Sequence, residues 1–248
     1  MKTTFEAEFR FYAELNDFLA PPQRYHSLPY RFSGHPGIKD PIEVFGVPHT
    51  EVALIIVNGR AVGFDYQLQT GDHTAIYPIF KTLNITPEIK LRSALPTPRF
   101  VIDVNLGKLA KRLRMLGFDC LYRNDYHDRE IAAIAADNQR IVLTRDRRLL
   151  FAKRIDHGYW VRAVKADQQI IEVLSRFNLS GLIAPFARCI LCNGKLAPVD
   201  KQNVLELLEP KTKLYYEIFY RCTECQQIYW KGSHIENMQR HFKELLTG

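Results

Sequence analysis

The chain has 248 residues, of which 46% are hydrophobic and 25% charged, an ordinary composition for a globular protein that is long enough for two domains. It contains no apolar run of about 18 residues, so we expect no transmembrane helix and no membrane partner. Residues 1–10 carry acidic side chains and no apolar core of a secretory signal, which leads us to expect a cytoplasmic protein with reduced cysteines.

The formal net charge of +7 is unevenly distributed along the chain. Residues 1–90 contain 8 Lys and Arg against 10 Asp and Glu, whereas the remaining residues contain 26 basic and 17 acidic side chains. A basic C-terminal part favours an anionic partner, and nucleic acid is the commonest one. The alternative is a basic surface that only keeps the protein in solution.

Residues 1–82 predict a small α+β domain. Apolar and polar residues alternate over 3–15, which is the period of a half-buried strand. A short helix is expected over 38–45, ended by Gly46, and a strand over 51–58 closed by the hairpin turn Asn58-Gly59. A further strand is expected from Thr74 to Phe80.

This first domain resembles the ubiquitin-like β-grasp domains, in particular the sulfur carriers, over VPHTEVALIIVNG (47–59) and LQTGDHTAIYPIF (68–80). Sulfur carriers end in an exposed Gly-Gly, whereas this chain passes through Ile79-Phe80-Lys81 and continues. The domain is therefore expected to dock a protein partner or to regulate its neighbour, or else only to stabilise it. Residues 83–98 hold three prolines and are predicted to form a linker.

A second domain, predicted over 99–180, alternates strands with helices. We expect strands at 99–103, 118–122, 140–144 and 159–163, and helices at 106–116, 128–137 and 167–177. This succession predicts a parallel sheet covered on both faces, with sites at the carboxyl ends of its strands. The helix at 106–116 should be amphipathic. We expect its polar face to carry four basic residues: Lys108, Lys111, Arg112 and Arg114.

Acidic residues lie where these strands end and helices begin. Asp103 ends the first strand, Asp146 follows the third, Asp128 opens the second helix and Asp125 precedes it. Clustered carboxylates repel one another unless a cation neutralises them, and oxygen ligands select Mg²⁺ or Mn²⁺. Such an ion can hold a phosphodiester and activate a water molecule. Asp128 taken alone equally fits a helix N-cap.

Basic side chains near these acids are candidates for holding the phosphate backbone of a nucleic acid. They are Lys108, Arg112, Arg145 and Arg147.

Four of the five cysteines form two Cys-x-x-Cys pairs, Cys189 with Cys192 and Cys222 with Cys225. This spacing predicts a zinc ribbon within residues 181–248. The zinc site is expected to be structural, because four thiolate ligands leave the metal no open coordination position. Two disulfides or a redox dithiol are the alternatives, and disulfides would need an oxidising compartment. Cys120 is expected to be a buried small hydrophobe.

The segment after the second pair carries aromatic and basic side chains. Trp230 and His234 are candidate RNA contacts, Trp230 by stacking on a base and His234 by binding a phosphate or acting as an acid or base. Alternatively, Tyr229 and Trp230 pack beneath the zinc site, and His234 is an ordinary surface or core histidine. An amphipathic helix is expected over 234–246.

Several motifs in order resemble one family: FVIDVNLGKLAKRLRMLGFD (100–119), RIVLTRDRRLL (140–150), ARCILCNGKL (187–196) and CTECQQIYWKGSH (222–234). This is the PIN-like RNase family named for the C-terminal domain of the Mut-seven exonuclease, in the form with a ubiquitin-like N-terminal domain. The resemblance implies a metal-dependent RNase whose acids fall on Asp103, Asp128 and Asp146.

We therefore expect an α/β protein: a β-grasp domain, a PIN-like parallel-sheet domain and a C-terminal zinc ribbon. Its expected activity is Mg²⁺- or Mn²⁺-dependent hydrolysis of RNA, with tRNA or rRNA as candidate substrates. Two alternatives remain open. One is a non-catalytic RNA-binding module, and the other is a sulfur-transfer accessory protein acting through the β-grasp domain.

Overall fold

The computed structural model describes residues 4–79, 91 and 98–232. The chain divides into two compact units, Met1–Pro96 with Ala132–Trp160, and Thr97–Ile131 with Val161–Gly248. The linker predicted over 83–98 lies outside the described residues except for Leu91 and Pro98, and so do His234 and the helix predicted over 234–246. No helix in the described ranges is long and apolar enough to cross a bilayer.

The N-terminal part of the first unit is a mixed five-stranded sheet with one short helix. Its strands are β1 (Phe5–Phe11), β2 (Leu28–Phe32), β3 (Leu54–Val57), β4 (Arg60–Val62) and β5 (His73–Tyr77), and its helix is α1 (Lys39–Val44). The strand order is β2-β1-β5-β3-β4, with β1 parallel to β5 and the other pairs antiparallel. The predicted α+β class of this domain is confirmed.

The sequence pattern explains these elements. Ala7, Phe9 and Phe11 of β1 are buried while the residues between them face solvent, so the period of two places one apolar face on the core. Gly46 follows α1 with a φ of +88°, a conformation that a side chain disfavours. Asn58 and Gly59 both have positive φ, as the tight turn between β3 and β4 requires.

The first unit also contains β8 (Ile141–Thr144) and β9 (Gly158–Trp160), which pair in parallel. All four residues of β8 are buried, as expected for a strand covered on both faces. Helix α3 spans Asp128–Asp137, and its residues from Ala132 onward lie in this unit.

A buried turn of the N-terminal sheet domain binds the segment that leads into β9. In the 3₁₀ turn His49–Glu51, Glu51 Oε1 accepts a hydrogen bond from the Trp160 backbone N–H at 2.7 Å. His49 Nε2 lies 3.0 Å from the carbonyl oxygen of Ile155. The Phe18 ring packs on the Trp160 ring with 5.2 Å between centroids. These contacts make the sheet domain and β9 parts of one packed core.

In the second unit, β6 (Phe100–Ile102) pairs in parallel with β7 (Cys120–Leu121). Helices α2 (Gly107–Met115) and α4 (Ala166–Arg176) pack together, and both bury aliphatic side chains, among them Leu109 and Leu113 of α2. The parallel pairing predicted for the α/β domain is thus confirmed. Gly117 ends α2 with a φ of +95°, and an added Cβ there would lie 2.0 Å from the Ala184 carbonyl oxygen.

The second unit continues into a three-stranded antiparallel sheet of β10 (Leu196–Val199), β11 (Phe219–Cys222) and β12 (Ile228–Trp230), in that order. Helix α5 (Pro210–Tyr215) lies between β10 and β11 in the chain. A small core of Val204, Leu208 and Phe219 supports this sheet. A core of this size stabilises little by itself, which is the usual situation of small domains held by metals.

We expect Glu51→Ala to lower the free energy of unfolding by about 2 kcal/mol, because the Trp160 N–H loses a charged acceptor in a buried setting. Glu6→Ala is the control, since the exposed Glu6–Arg31 ion pair should contribute less than about 1 kcal/mol. Urea denaturation monitored by tryptophan fluorescence measures both variants. Equal unfolding midpoints for Glu51→Ala and the wild type would contradict the role given to Glu51.

Candidate metal centre and cationic cleft

The two Cys-x-x-Cys pairs meet at the end of the antiparallel sheet. The four Sγ atoms lie within 4.8 Å of one another, with 3.5 Å between Cys189 and Cys225 and 3.4 Å between Cys192 and Cys222. A Zn²⁺ with Zn–S bonds of about 2.3 Å requires sulfur atoms about 3.8 Å apart, whereas a disulfide requires about 2.0 Å. The four cysteines therefore fit a tetrahedral metal ion, and the group could bind zinc.

Backbone groups around the cysteines donate hydrogen bonds to two of the sulfur atoms. The N–H groups of Gly194 and Glu224 each donate to a sulfur atom at 3.4 Å, Gly194 to Cys192 and Glu224 to Cys222. A Cβ on Gly194 would lie 2.8 Å from Cys222 Sγ, so a side chain at this position would crowd the ligand set. The turn at each cysteine pair thus directs a backbone N–H at a sulfur atom, and the turn at Gly194 has no room for a side chain.

Tyr229 contacts the metal ligands directly. Its hydroxyl lies 3.1 Å from Cys189 Sγ and accepts a hydrogen bond from the Ile190 N–H at 3.2 Å. Burial, and then the bond to Cys189, raise the pKa of Tyr229, so the phenol stays protonated and donates to the sulfur. Burial alone would raise the pKa of the Cys189 thiol, but the bonds from Tyr229 and from the backbone bring it to about 7.

Trp230 packs within the ribbon. It is half-buried against the core of Val204, Leu208 and Phe219, and its ring lies 6.1 Å from that of Tyr216. Its assignment as an RNA contact stays a prediction, and the described contacts of its ring are with the protein.

Arg114 joins helix α2, strand β7 and the first cysteine pair. Its guanidinium donates to the carbonyl oxygens of Cys120 at 2.8 Å, Ile190 at 3.1 Å and Leu191 at 2.8 Å. The sequence places Arg114 on the exposed face of the helix, but the residue is only 3% exposed. This correction has a physical cause, because a buried guanidinium is tolerated where carbonyl oxygens satisfy its donors.

Asn193 makes a second connection between the first cysteine pair and β7. Its Oδ1 accepts from the Cys120 N–H at 2.8 Å, and its Nδ2 donates to Asp119 Oδ1 at 2.8 Å. Arg188 forms an ion pair with the other oxygen of Asp119 at 3.2 Å. The first cysteine pair is therefore anchored to the α/β core by side chains that the sequence pattern did not single out. Cys120 is fully buried, as predicted.

A cleft of about 970 Å³ opens beside this connection. Its cationic lining residues are Lys108, Lys111, Arg112, Arg114, Arg123 and Lys165. Asp167 also lines it and forms an ion pair with Arg112 at 2.6 Å. The structure thus brings together two of the predicted RNA-binding residues, Lys108 and Arg112, and adds cations that sequence reasoning did not assign to binding, since only folding aligns these segments.

Two helices begin at the cleft. The first residues of α2 and of α4, Gly107 and Ala166, both line it. Within the described part of the chain, neither start has a side-chain cap. The positive ends of two helix dipoles therefore add to the charge of the lysines and arginines.

The four acidic candidates have different surroundings. Asp103 follows β6, is 4% exposed, and accepts a hydrogen bond from the Leu106 N–H through its backbone carbonyl at 2.9 Å. Asp146 is exposed after β8. Its backbone N–H donates to Thr144 Oγ1 and its carboxylate accepts from the Arg148 N–H, both at 2.8 Å. The Thr144 hydroxyl thus closes the loop that presents Asp146.

Asp125 and Asp128 lie on the surface near the start of α3. Asp125 forms a two-bond ion pair with Arg123 at 2.9 and 2.6 Å, and these hydrogen bonds lower the pKa of its carboxyl. Asp128 is the first helical residue, and Glu130 caps the helix by accepting from the His127 N–H at 2.8 Å. The helix start therefore does not use Asp128 as its N-cap.

The remaining basic candidates follow β8. The Arg147 guanidinium lies 3.7 Å from the centre of the Trp160 ring and 5.3 Å from that of Phe18, so aromatic rings hold it. Arg145 is half-buried beside it in the chain. Their roles in RNA binding stay predictions.

The described residues thus define the class of protein by its architecture: a mixed-sheet domain, a parallel α/β domain and a four-cysteine group beside a cationic cleft suited to anionic ligands. Residues 98–242, more than half of the chain, match the model of the Mut7-C RNase domain, and residues 4–84 match that of the Mut7-C ubiquitin domain. The chain belongs to the Mut7-C RNase domain family, and the predicted resemblance is confirmed. Searches among curated proteins and among solved structures found no match.

We expect Arg114→Met to lower the free energy of unfolding by about 3 kcal/mol, because three carbonyl oxygens lose a charged donor at a buried site. Arg129→Met, which changes an exposed arginine of α3, should be nearly neutral. Thermal unfolding of both variants, with metal content measured in parallel, tests this. An Arg114→Met protein that melts with the wild type would show that these bonds add no stability.

Proposed function

We propose that the protein is a divalent-metal-dependent ribonuclease. The observation that carries the proposal is the match of residues 98–242 to an RNase domain, which implies an RNA substrate. The cationic cleft supports it, because clustered lysines, arginines and helix N-termini bind phosphate groups. The cleft lining starts at Asn105, two residues after Asp103.

We assign Asp103, Asp128 and Asp146 as ligands of Mg²⁺ or Mn²⁺, with Asp125 as a further candidate. A hard cation suits carboxylate oxygens, and when bound it supplies charge neutralisation at the phosphate and a more acidic water molecule. Asp103 is buried directly after an apolar strand. Burying a carboxylate costs free energy unless another group or a metal ion binds it, so this position favours a specific role for Asp103. Asp146 is presented by a loop that Thr144 closes.

The protein's own groups would act on the RNA by position and charge. Lys108, Lys111 and Arg112 hold phosphate groups in the cleft. A water oxygen adds to phosphorus, the bond from phosphorus to the leaving oxygen breaks, and the leaving oxygen takes up a proton. Carboxylate side chains orient this water and accept its proton.

Zinc has a structural role in this proposal. The four cysteines would hold one Zn²⁺ with no open coordination position, and Tyr229 would orient the Cys189 thiolate through its hydroxyl. The zinc ribbon would then aid RNA binding by fixing the turn between Cys189 and Cys192 beside the cleft, to which Leu191 contributes.

A non-catalytic RNA-binding module is the second candidate. One observation favours it: the described lining of the cleft includes none of the four candidate acids. Binding without metal-dependent cleavage would support this reading.

We expect Asp103→Asn and Asp146→Asn each to reduce Mn²⁺- or Mg²⁺-dependent cleavage of labelled RNA by about a hundredfold or more, because misplacing the metal or the water is costly. Asp137→Asn is the matched control, since Asp137 forms an exposed ion pair with Arg154. Cleavage is followed on gels across a metal titration. Wild-type cleavage by both variants would refute the acid assignment, and no cleavage by the wild type would favour the binding module.

We expect Tyr229→Phe to weaken zinc binding by about tenfold, because the Cys189 sulfur loses a hydrogen bond that orients it. Tyr220→Phe, whose ring stacks on Phe186 at 4.7 Å, is the control. Competition with a chromogenic chelator measures the affinity, and metal analysis should give one zinc per chain. Identical affinities for the two variants would argue against the hydrogen bond.

A further inference from the structure

The cationic cleft also has two exposed aliphatic side chains in its lining. Val164 is 73% exposed and Leu191 is 60% exposed, and both line the cleft. Val164 precedes α4, whereas Leu191 lies in the turn between Cys189 and Cys192. Two aliphatic side chains from different elements are thus exposed to solvent in a cleft whose charged lining is mostly cationic.

The charge of the cleft is available to a ligand. Among the described residues, Lys108, Lys111 and Lys165 have no ion-pair partner, whereas Arg112 is paired with Asp167 and Arg123 with Asp125. The uncapped starts of α2 and α4 add N–H donors. A ligand that satisfies these groups carries several negative charges.

The size of the cleft limits the ligand. A volume of about 970 Å³ is at the upper end of the range of about 300–1,000 Å³ for small-molecule sites. A cube of that volume has an edge of about 10 Å, which accommodates a few linked nucleotides better than a single phosphate. Aliphatic contact with the face of a base also requires a base that is not stacked in a duplex.

We infer that this cleft binds an unpaired stretch of RNA, with its phosphates on the lysines and the two helix starts and a base against Leu191 and Val164. The inference rests on the proposed function for its choice of RNA. It makes the cysteine turn one wall of the RNA site, and Leu191 the residue through which the metal centre contacts substrate.

The anchoring of the cysteine turn explains why Leu191 can act in this way. Its carbonyl oxygen accepts from Arg114 at 2.8 Å, and Cys192 follows it as a metal ligand. An exposed aliphatic side chain contributes to binding when its backbone is already held, because little conformational freedom is then lost. Arg114 is a positioning residue in this arrangement.

The test measures RNA binding separately from cleavage. Binding of a fluorescein-labelled single-stranded RNA and of the same RNA in a duplex is measured by anisotropy in an Asp103→Asn background, without added Mg²⁺ or Mn²⁺. We expect Leu191→Ala to raise the Kd for the single strand about fivefold with an unchanged salt dependence. Leu214→Ala, at an equally exposed leucine of the same unit, should have no effect.

Lysine variants test the charged part of the cleft. Lys108→Ala combined with Lys111→Ala should weaken binding at least tenfold and reduce the slope of log K against log salt by about 1.4. Lys195→Ala combined with Lys211→Ala removes the same charge from exposed positions outside the cleft lining and should change binding far less. Zinc content and thermal midpoints of all variants verify that they fold.

Three results would overturn the inference. They are wild-type affinity of the folded Leu191→Ala protein, equal effects of the two lysine pairs, and competition by a mononucleotide as strong as that by the RNA at equal phosphate concentration. Failure of the proposed function is distinguishable, because it shows as cleavage by Asp103→Asn or as no cleavage by the wild type. Loss of binding in the Leu191 and lysine variants would support the cleft in either case.

Discussion

The buried guanidinium of Arg114 is the interaction on which the second unit depends. It reaches from α2 to the carbonyl groups of β7 and of the cysteine turn, so three segments distant in the chain share one cation. Burial lowers the pKa of Arg114, and the neighbouring thiols of Cys120, Cys192 and Cys189 oppose this effect. Four thiolates around Zn²⁺ carry a net charge of −2, which would balance this buried cation.

Local patterns in the sequence predicted most of the described elements and the grouping of the four cysteines, which could bind a metal ion. The spacing of the cysteines identified the ligand group because a Cys-x-x-Cys turn brings two sulfur atoms to one point in any fold. The amphipathic period of α2 was equally clear, but periodicity cannot tell an exposed arginine from one that bonds buried carbonyls. Arg114 was therefore misplaced, while Lys108 and Lys111 lie on the exposed side as expected.

Contacts between distant segments could not be predicted from the sequence. The edge strand β7 has only two residues, and the Cys120 N–H donates to Asn193, 73 positions later. The cleft combines residues from α2, the segment 122–124 after β7, the start of α4 and the turn between Cys189 and Cys192. These segments are too far apart in the chain for one local motif to predict them together. For the candidate acids, the sequence shows that Asp103 and Asp146 follow strands. The hydrogen bond that caps α3 through Glu130 and the ion pair of Arg123 with Asp125 became visible only in the structure.

The contact of the His49–Glu51 turn with Ile155 and Trp160 has a consequence for synthesis of the chain. The ubiquitin-like strands leave the ribosome first, yet the partner groups of His49 and Glu51 follow about a hundred residues later. Until then, the His49 and Glu51 side chains, which are buried in the folded protein, stay hydrated. The Phe18 ring also lacks the Trp160 ring against which it packs. The N-terminal domain thus completes its core only after much of the RNase domain has been made, and the two family domains mature together.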